Sequence, residues 1–405
     1  TPQPSPWFSA RLPHGWTVWG IDTGLDGTVN ARQREYFAAH GAQLEPGVDQ
    51  LIVCSPVPWW RLREKRGPGG GFDDELTVLE DLLDDVLPEG VPVRLCLAGD
   101  THIYAHYRTK SVRRDHVPVH HITSGGGGAF LHPTHNLAPQ VPQATEEDPW
   151  FELDAHWPPR TASKHELARS SAGLALDRQS FSLGSLLAVL HFLFALVALG
   201  RVPSWLRDGS LGSFWGTVGD AANHLVRSWP AWVYLAVLVA ICIFVVPQPT
   251  VGEPTVKRAA RRYGAVHGIA QAAAFVVATM LGALVAYSLI RAFGEPDELW
   301  YVLGLFSAGI MGAALSTVVL AHYLRIVNQH RRIHDNVAFS GRHLTGYKHF
   351  LRCRIAPDTG DLTVYAVGLE VVHKGWAKAI REGRKPPHGF AHLIETIHIP
   401  RKPPC

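Results

Sequence analysis

Asp100 and His102 stand two residues apart, directly after Gly99 and at the end of the apolar run Val93-Arg94-Leu95-Cys96-Leu97-Ala98. Alternate residues of an extended backbone share a face, so this spacing aims a carboxylate and an imidazole the same way at the carboxyl end of a sheet. An oxygen donor beside a nitrogen donor suits one divalent cation, or a pair of them. A second apolar run, Ile122-Thr123-Ser124, leads into Gly125-Gly126-Gly127-Gly128 and then into His132 and His135. A glycine run is conformationally costly unless the backbone must approach a ligand closely. Gly126, Gly127, His132 and His135 are therefore expected to touch substrate or steady the metal ligands. The plainer alternative is a strand-end turn in which Asp100 caps a following helix, with His132 and His135 on a surface loop held by Pro133. His106, His116, His120 and His121 carry less information in a chain with 23 histidines.

Together the two segments make the first 135 residues resemble the C-terminal half of a calcineurin-like metallophosphoesterase domain. That family's ligands follow the order D-x-H, G-D-x-x-D, G-N-H-D/E, a lone histidine after a strand, and G-H-x-H. Gly99-Asp100-Thr101-His102 matches the last, with aspartate in place of the first histidine. The resemblance implies that Asp100 and His102 are metal ligands. It further implies two divalent ions (manganese, iron or zinc) and a bridging hydroxide that attacks the phosphorus of a phosphate mono- or diester in line. At the lone-histidine position the chain departs from the family, since Leu51-Ile52-Val53-Cys54 runs into Ser55-Pro56, leaving only the Ser55 hydroxyl. Asp154-Ala155-His156 and Gly219-Asp220 repeat fragments of the earlier motifs without their strand context and are set aside as chance. The first three motifs are expected upstream of Thr1, so the metal site is expected to be incomplete in this chain.

The elements that must position these residues follow from pattern. Residues 16–22 read as a strand ending in a turn, and residues 30–40 as a helix begun by an Asn30 cap, with Arg32, Gln33 and Tyr36 helically spaced. Residues 51–54 form a buried strand, and Gly67–Gly71 a glycine-rich loop. Residues 73–87 form a helix striped by Leu76, Leu79, Leu82, Leu83 and Leu87. With the strands before Asp100 and Gly125, this alternation predicts an α/β layered sheet, a partial metallophosphoesterase-like domain over residues 1–145. Residues 146–178, rich in proline, charge and tryptophan, read as a linker. Residues 326–405 read as a small β-rich piece with a hairpin of 350–355 and 362–367 around Pro357-Asp358-Thr359-Gly360-Asp361. This piece is expected to pack on the phosphoesterase layer, making the residues between them an insertion.

That insertion is apolar. Residues 179–200, 228–252, 263–290 and 299–324 contain no Asp, Glu, Lys or Arg, which predicts four transmembrane helices over residues 179–325. Basic flanks (Arg160, Lys164, Arg169 and Arg178; Lys257, Arg258, Arg261 and Arg262; Arg325, Arg331 and Arg332) predict that both soluble parts are cytoplasmic. The opposite loops carry Arg201, Arg207 and Arg227, and Arg291 beside Glu295, Asp297 and Glu298. The five cysteines, Cys54, Cys96, Cys242, Cys353 and Cys405, suggest no disulfide framework. A net charge of +3 gives no sign of a nucleic-acid surface, so the expected partners are a lipid bilayer and a phosphoester substrate. Gly264, Gly268 and Ala272, like Gly304, Ala308 and Gly312, recur every fourth position and suit close helix packing, while His191, His267 and His322 lie inside the spans. The expected function is a membrane-anchored metallophosphoesterase. The rivals are a receptor or scaffold with a degenerate head, and a transport module with a regulatory head.

Overall fold

The computed structural model describes residues 5–24, 27–62, 74–110, 118–128, 130–142, 150–165, 181–200, 214–245, 254–293, 298–331, 334, 339, 346–372, 375–384 and 391–401. The Gly67–Gly71 loop, Cys405, and the flanking Arg169, Arg178, Arg201, Arg207, Glu295, Asp297 and Arg332 lie outside the described residues. The chain forms two compact units, residues 1–164 with 343–405, and residues 165–342.

In the first unit, β1 (Phe8–Arg11) and β2 (Trp16–Gly20) form an antiparallel pair. From β2 the sheet continues in parallel through β3 (Gln50–Ser55), β4 (Val93–Ala98) and β6 (Pro118–Ser124). β5 (Tyr104–Lys110), β8 (Trp150–Trp157) and β7 (Gln140–Pro142) complete a mixed sheet in antiparallel pairing, in the order β1-β2-β3-β4-β6-β5-β8-β7. The parallel strands are buried on both faces, which is why Leu51, Ile52 and Val53 are all apolar. Helix α1 (Ala31–Gly41) begins where the Asn30 side chain accepts the Gln33 N–H at 2.9 Å, and its Phe37 packs on Trp19 at 4.8 Å between ring centres. A short helix α2 (Trp59–Leu62) follows β3, and α3 (Asp74–Val86) buries Leu79, Leu82 and Leu83.

β9 (Lys348–Ile355), β10 (Leu362–Leu369) and β11 (Ala391–Ile399) form a three-stranded antiparallel sheet in the order β11-β10-β9, with a short helix α9 (Trp376–Arg381) between the last two strands. The expected hairpin is present, and its turn reverses at Gly360, whose φ of +76° suits glycine. The two sheets share one apolar core. Leu362, Val364, Ala366, Ile397 and Ile399 pack against Trp16, Ile52, Leu95, Tyr104, Ile122 and Trp157. The Trp16 indole N–H also donates to the Gly360 carbonyl at 2.7 Å, across 344 positions of sequence. β8 falls inside the stretch expected to be a linker. Its alternation, with Phe151 and Trp157 buried and Glu152 and Asp154 exposed, is a half-buried strand pattern that the local richness in proline and charge obscures.

The second unit is helical. It comprises α4 (Phe181–Leu199), α5 (Phe214–Arg227), α6 (Trp229–Phe244), α7 (Pro254–Phe293) and α8 (Glu298–Arg331). Three stretches, Phe181–Leu199, Arg258–Phe293 and Glu298–Asn328, are long and apolar enough to cross a membrane. The expected second span differs. Its helix α6 ends at Phe244, a length of ~24 Å at the helical rise, and joins α5 through a bend of 73°. Sequence pattern did not foresee α5, which buries Thr217, Ala221 and Leu225 while Trp215, Asp220 and Val226 are exposed. The small residues bring helices together as expected. A Cβ at Gly282 would lie 2.5 Å from the Gly304 carbonyl, and one at Gly268 would lie 3.0 Å from the Cα of Val239.

Candidate functional site

Because β2, β3 and β4 run parallel and adjacent, their carboxyl ends place Asp22, Ser55 and Asp100 along one edge of the sheet. Two backbone N–H groups, of Gly99 and Asp100, donate to the Pro56 carbonyl at 3.1 and 2.9 Å, so the loops after β3 and β4 are stitched together. Asp100 is exposed there, and His102 is half-buried. The Ser55 hydroxyl donates to the Val57 carbonyl at 2.9 Å, and the residue is buried. The Asp22 carboxylate accepts the Gly24 N–H at 2.9 Å, and the buried Gln33 amide clamps the Asp22 backbone, donating to its carbonyl at 2.7 Å and accepting its N–H at 2.8 Å.

His102 is held from several directions. Its Nδ1–H donates to the Phe130 carbonyl at 2.8 Å. Its backbone N–H donates to His132 Nδ1 at 3.1 Å, and the two rings stack at 4.8 Å with planes 8° apart. His132 therefore orients His102. His135 lies elsewhere in its contacts: its Nδ1 meets the Ser163 hydroxyl at 2.8 Å, and the Thr134 hydroxyl donates to the Pro158 carbonyl at 2.8 Å. These bonds tie the histidine segment to residues 158–163.

The glycines answer to the protein's own backbone. A Cβ at Gly125 would strike the Gly99 and Thr101 carbonyls, one at Gly126 the backbone of His349, and one at Gly128 the ring of His102. Gly127 faces open space, and the Lys348 ammonium donates to the Gly128 carbonyl. The close approach read from the sequence is thus made by β9 and by the loop after β4. Burial pushes the neighbouring His349 imidazole down to about 4, partly countered by hydrogen bonding to the Tyr347 and Ile103 backbone.

Asp100 and His102 share the sheet edge, but among the described residues no group of three or more His, Cys, Asp or Glu side chains converges to hold a metal ion. Two donors fall short of the three or four protein ligands that such ions take. The described residues therefore do not form a complete metal site.

A second constellation lies between the sheets, and sequence reasoning passed over it. The Tyr104 hydroxyl donates to the Glu395 carboxylate, and His106 Nδ1 lies 3.1 Å from each of its oxygens. His106 Nε2 in turn meets His120 Nδ1 at 2.9 Å. Burial raises the Glu395 carboxyl, but the hydrogen bond and charge of His106, the Tyr104 hydroxyl and His120 outweigh it and hold the group below its ordinary range. Burial, then the charges of His106, Arg108 and Arg94, push His120 down to about 3. The available signal was the alternation of Tyr104, His106 and Arg108 on one strand face, which general histidine richness masks. Compared with known proteins, the chain matches no protein-family description, no curated protein and no solved structure.

Proposed function

We propose that this chain is a membrane-anchored phosphoesterase of the calcineurin-like type, with Asp100 and His102 as part of its divalent-metal site. The observation that supports this reading most is the placement of those two residues. They sit at the carboxyl edge of parallel strands, where α/β sheets bind ligands, with His102 fixed by the Phe130 carbonyl. A divalent cation bound there would neutralise charge on a phosphoryl group, but its remaining donors must come from beyond the residues gathered at this edge. In this reading the two sheets form the phosphoesterase layers and the apolar helices make four crossings. The basic flanks, among them Arg258, Arg261, Arg262 and Arg325, put the head in the cytoplasm.

A second reading, a receptor or scaffold whose head has lost chemistry, draws support from Ser55, whose hydroxyl is engaged by Val57 at the position of an expected ligand. One experiment separates the two. Protein made from the intact native gene is assayed with a generic phosphodiester in the presence of manganese or zinc. The enzyme reading expects metal-dependent turnover that Asp100→Ala with His102→Ala abolishes while metal content falls. Turnover that survives both substitutions removes these residues from the site, and no turnover with no bound metal favours the scaffold.

A further inference from the structure

The helical unit has a polar interior. His191, near the middle of α4, is 1% exposed, and Ser316 of α8 is fully buried. Their side chains meet at 2.7 Å, Nε2 to Oγ. The imidazole stacks on Phe275 of α7 at 3.7 Å with planes 12° apart, and its other edge lies against Gly312 of α8, where a Cβ would collide with Nδ1. That Nδ1 has no hydrogen-bond partner. Beside it, the Gln271 amide of α7 donates to the Ser316 carbonyl at 3.1 Å, while its own Oε1 is buried and unpartnered.

Polar groups continue from there in one direction. His267 lies one turn from Gln271 on α7 and stacks on Tyr323 at 4.2 Å, and the Tyr323 hydroxyl meets His334 at 3.3 Å beyond the apolar stretch of α8. In the other direction the helices close with apolar and small residues, such as Ala195, Ala283, Ile290 and Leu305. The histidines thus run from the His334 end to His191, and beyond it the buried hydroxyls of Thr279 and Tyr301 each donate to a backbone carbonyl.

We propose that His191 is a proton-binding site inside the bundle, reached from the His334 end, and that protonation there loosens α4 from α8. A neutral ring donates Nε2–H to Ser316 and leaves a bare lone pair facing Gly312, which fits the observed packing. Protonation places an N–H and a positive charge against Gly312, with no acceptor, in surroundings without compensating charge. Stacking on Phe275 favours the cation in part, so the strain falls on the α4–α8 contact and not on α7. The groups facing His191 are Phe275 and Gln271 from α7 and Gly312 and Ser316 from α8, with Tyr234 of α6 packed one turn away on Phe194 and its hydroxyl on the Leu190 carbonyl. The other titratable groups of the series are His267, Tyr323, His334 and Cys242. Among the described residues of this unit, no Asp, Glu, Lys or Arg is buried.

The test uses the full chain in proteoliposomes, with native cysteines replaced by alanine. A Cβ at Gly309 would lie 3.5 Å from that of Phe192, a separation suited to a disulfide, so Phe192→Cys with Gly309→Cys reports the α4–α8 contact. The same cysteine pair in denaturant-unfolded protein, where no helix contact survives, is the reference that removes the intrinsic pH dependence of thiol oxidation. The oxidation rate of the pair in the folded protein, divided by that in the unfolded reference, should fall several-fold between about pH 7 and about pH 4, a window reaching below the ordinary imidazole range because burial disfavours the charged ring. In His191→Gln the ratio should stay flat. Ser316→Ala, which keeps the imidazole and removes its hydroxyl partner, should shift the midpoint to lower pH. A ratio that is flat with His191 present, falls equally without it, or keeps its midpoint in Ser316→Ala overturns the proposal.

Discussion

His102 keeps its orientation because three neighbours act on it together: the Phe130 carbonyl, the His132 ring and the bare Gly128 backbone. Space at the glycine run is therefore uneven, and substitutions should reveal it. Gly126→Ala forces a methyl into the His349 backbone and should lower stability by about 1–3 kcal/mol, whereas Gly127→Ala meets nothing within 4 Å and should be nearly neutral. Thermal melting of the two variants in detergent makes the comparison, and equal effects would contradict the packing. Acid should weaken the same unit. Because His120 is held near 3 when folded, only the unfolded chain takes up its proton between about pH 6.5 and that value, so stability falls as pH drops through this window. Glu395, held below its ordinary 4.5, adds to the loss as pH falls through its own lowered range. Melting temperature should thus decline from neutral pH towards pH 4 with a shallower slope in His120→Gln; an unchanged slope would count against the cluster. At this scale the sequence showed which types of residue stood at the sheet edge. It did not show that the glycines serve β9, because that neighbour lies more than two hundred positions away.

Elements with a strong local signal were legible. The helix after Asn30 is capped as its sequence predicts, and Asn30→Ala should cost about 1 kcal/mol in denaturant unfolding. The strands ending at Ser55, Ala98 and Ser124 also follow from their apolar runs. β5, β8 and β11 were not read, since their alternation is carried by histidine, aromatic and charged residues, which mask the strand pattern, and their pairing partners include strands distant in sequence. Among the apolar helices, length and lack of charge sufficed for α4, α7 and α8. The break between α5 and α6 falls at Ser228 and Pro230, where the charge-free stretch begins, and α5, which carries Asp220 and Arg227, lies before that stretch. The α7–α8 contact sets a clear expectation: Gly282→Leu, directed at the Gly304 carbonyl, should disrupt the bundle in detergent, and Gly184→Leu, facing open space, should not. Size-exclusion profiles of the two variants would show the difference, and identical profiles would place the contact elsewhere.

At the scale of the molecule, residues 1–164 and 343–405 build one fold, so a chain whose intervening helices cross a bilayer returns to the side from which it departed. The number of crossings is then even. With three unbroken spans, the bent α5–α6 pair is expected to supply the fourth. Reporters placed after Lys164 and before His343 should respond alike to a membrane-impermeant reagent, and opposite responses would break this expectation. The core shared by Trp16, Tyr104, Val364 and Ile397 also has a consequence for biosynthesis. The ribosome delivers β1–β8 long before β9–β11, and every apolar helix emerges in the interval. The early sheet must wait with one face uncovered until the last three strands arrive, so a chain stalled at that stage displays the apolar surface that they would otherwise cover.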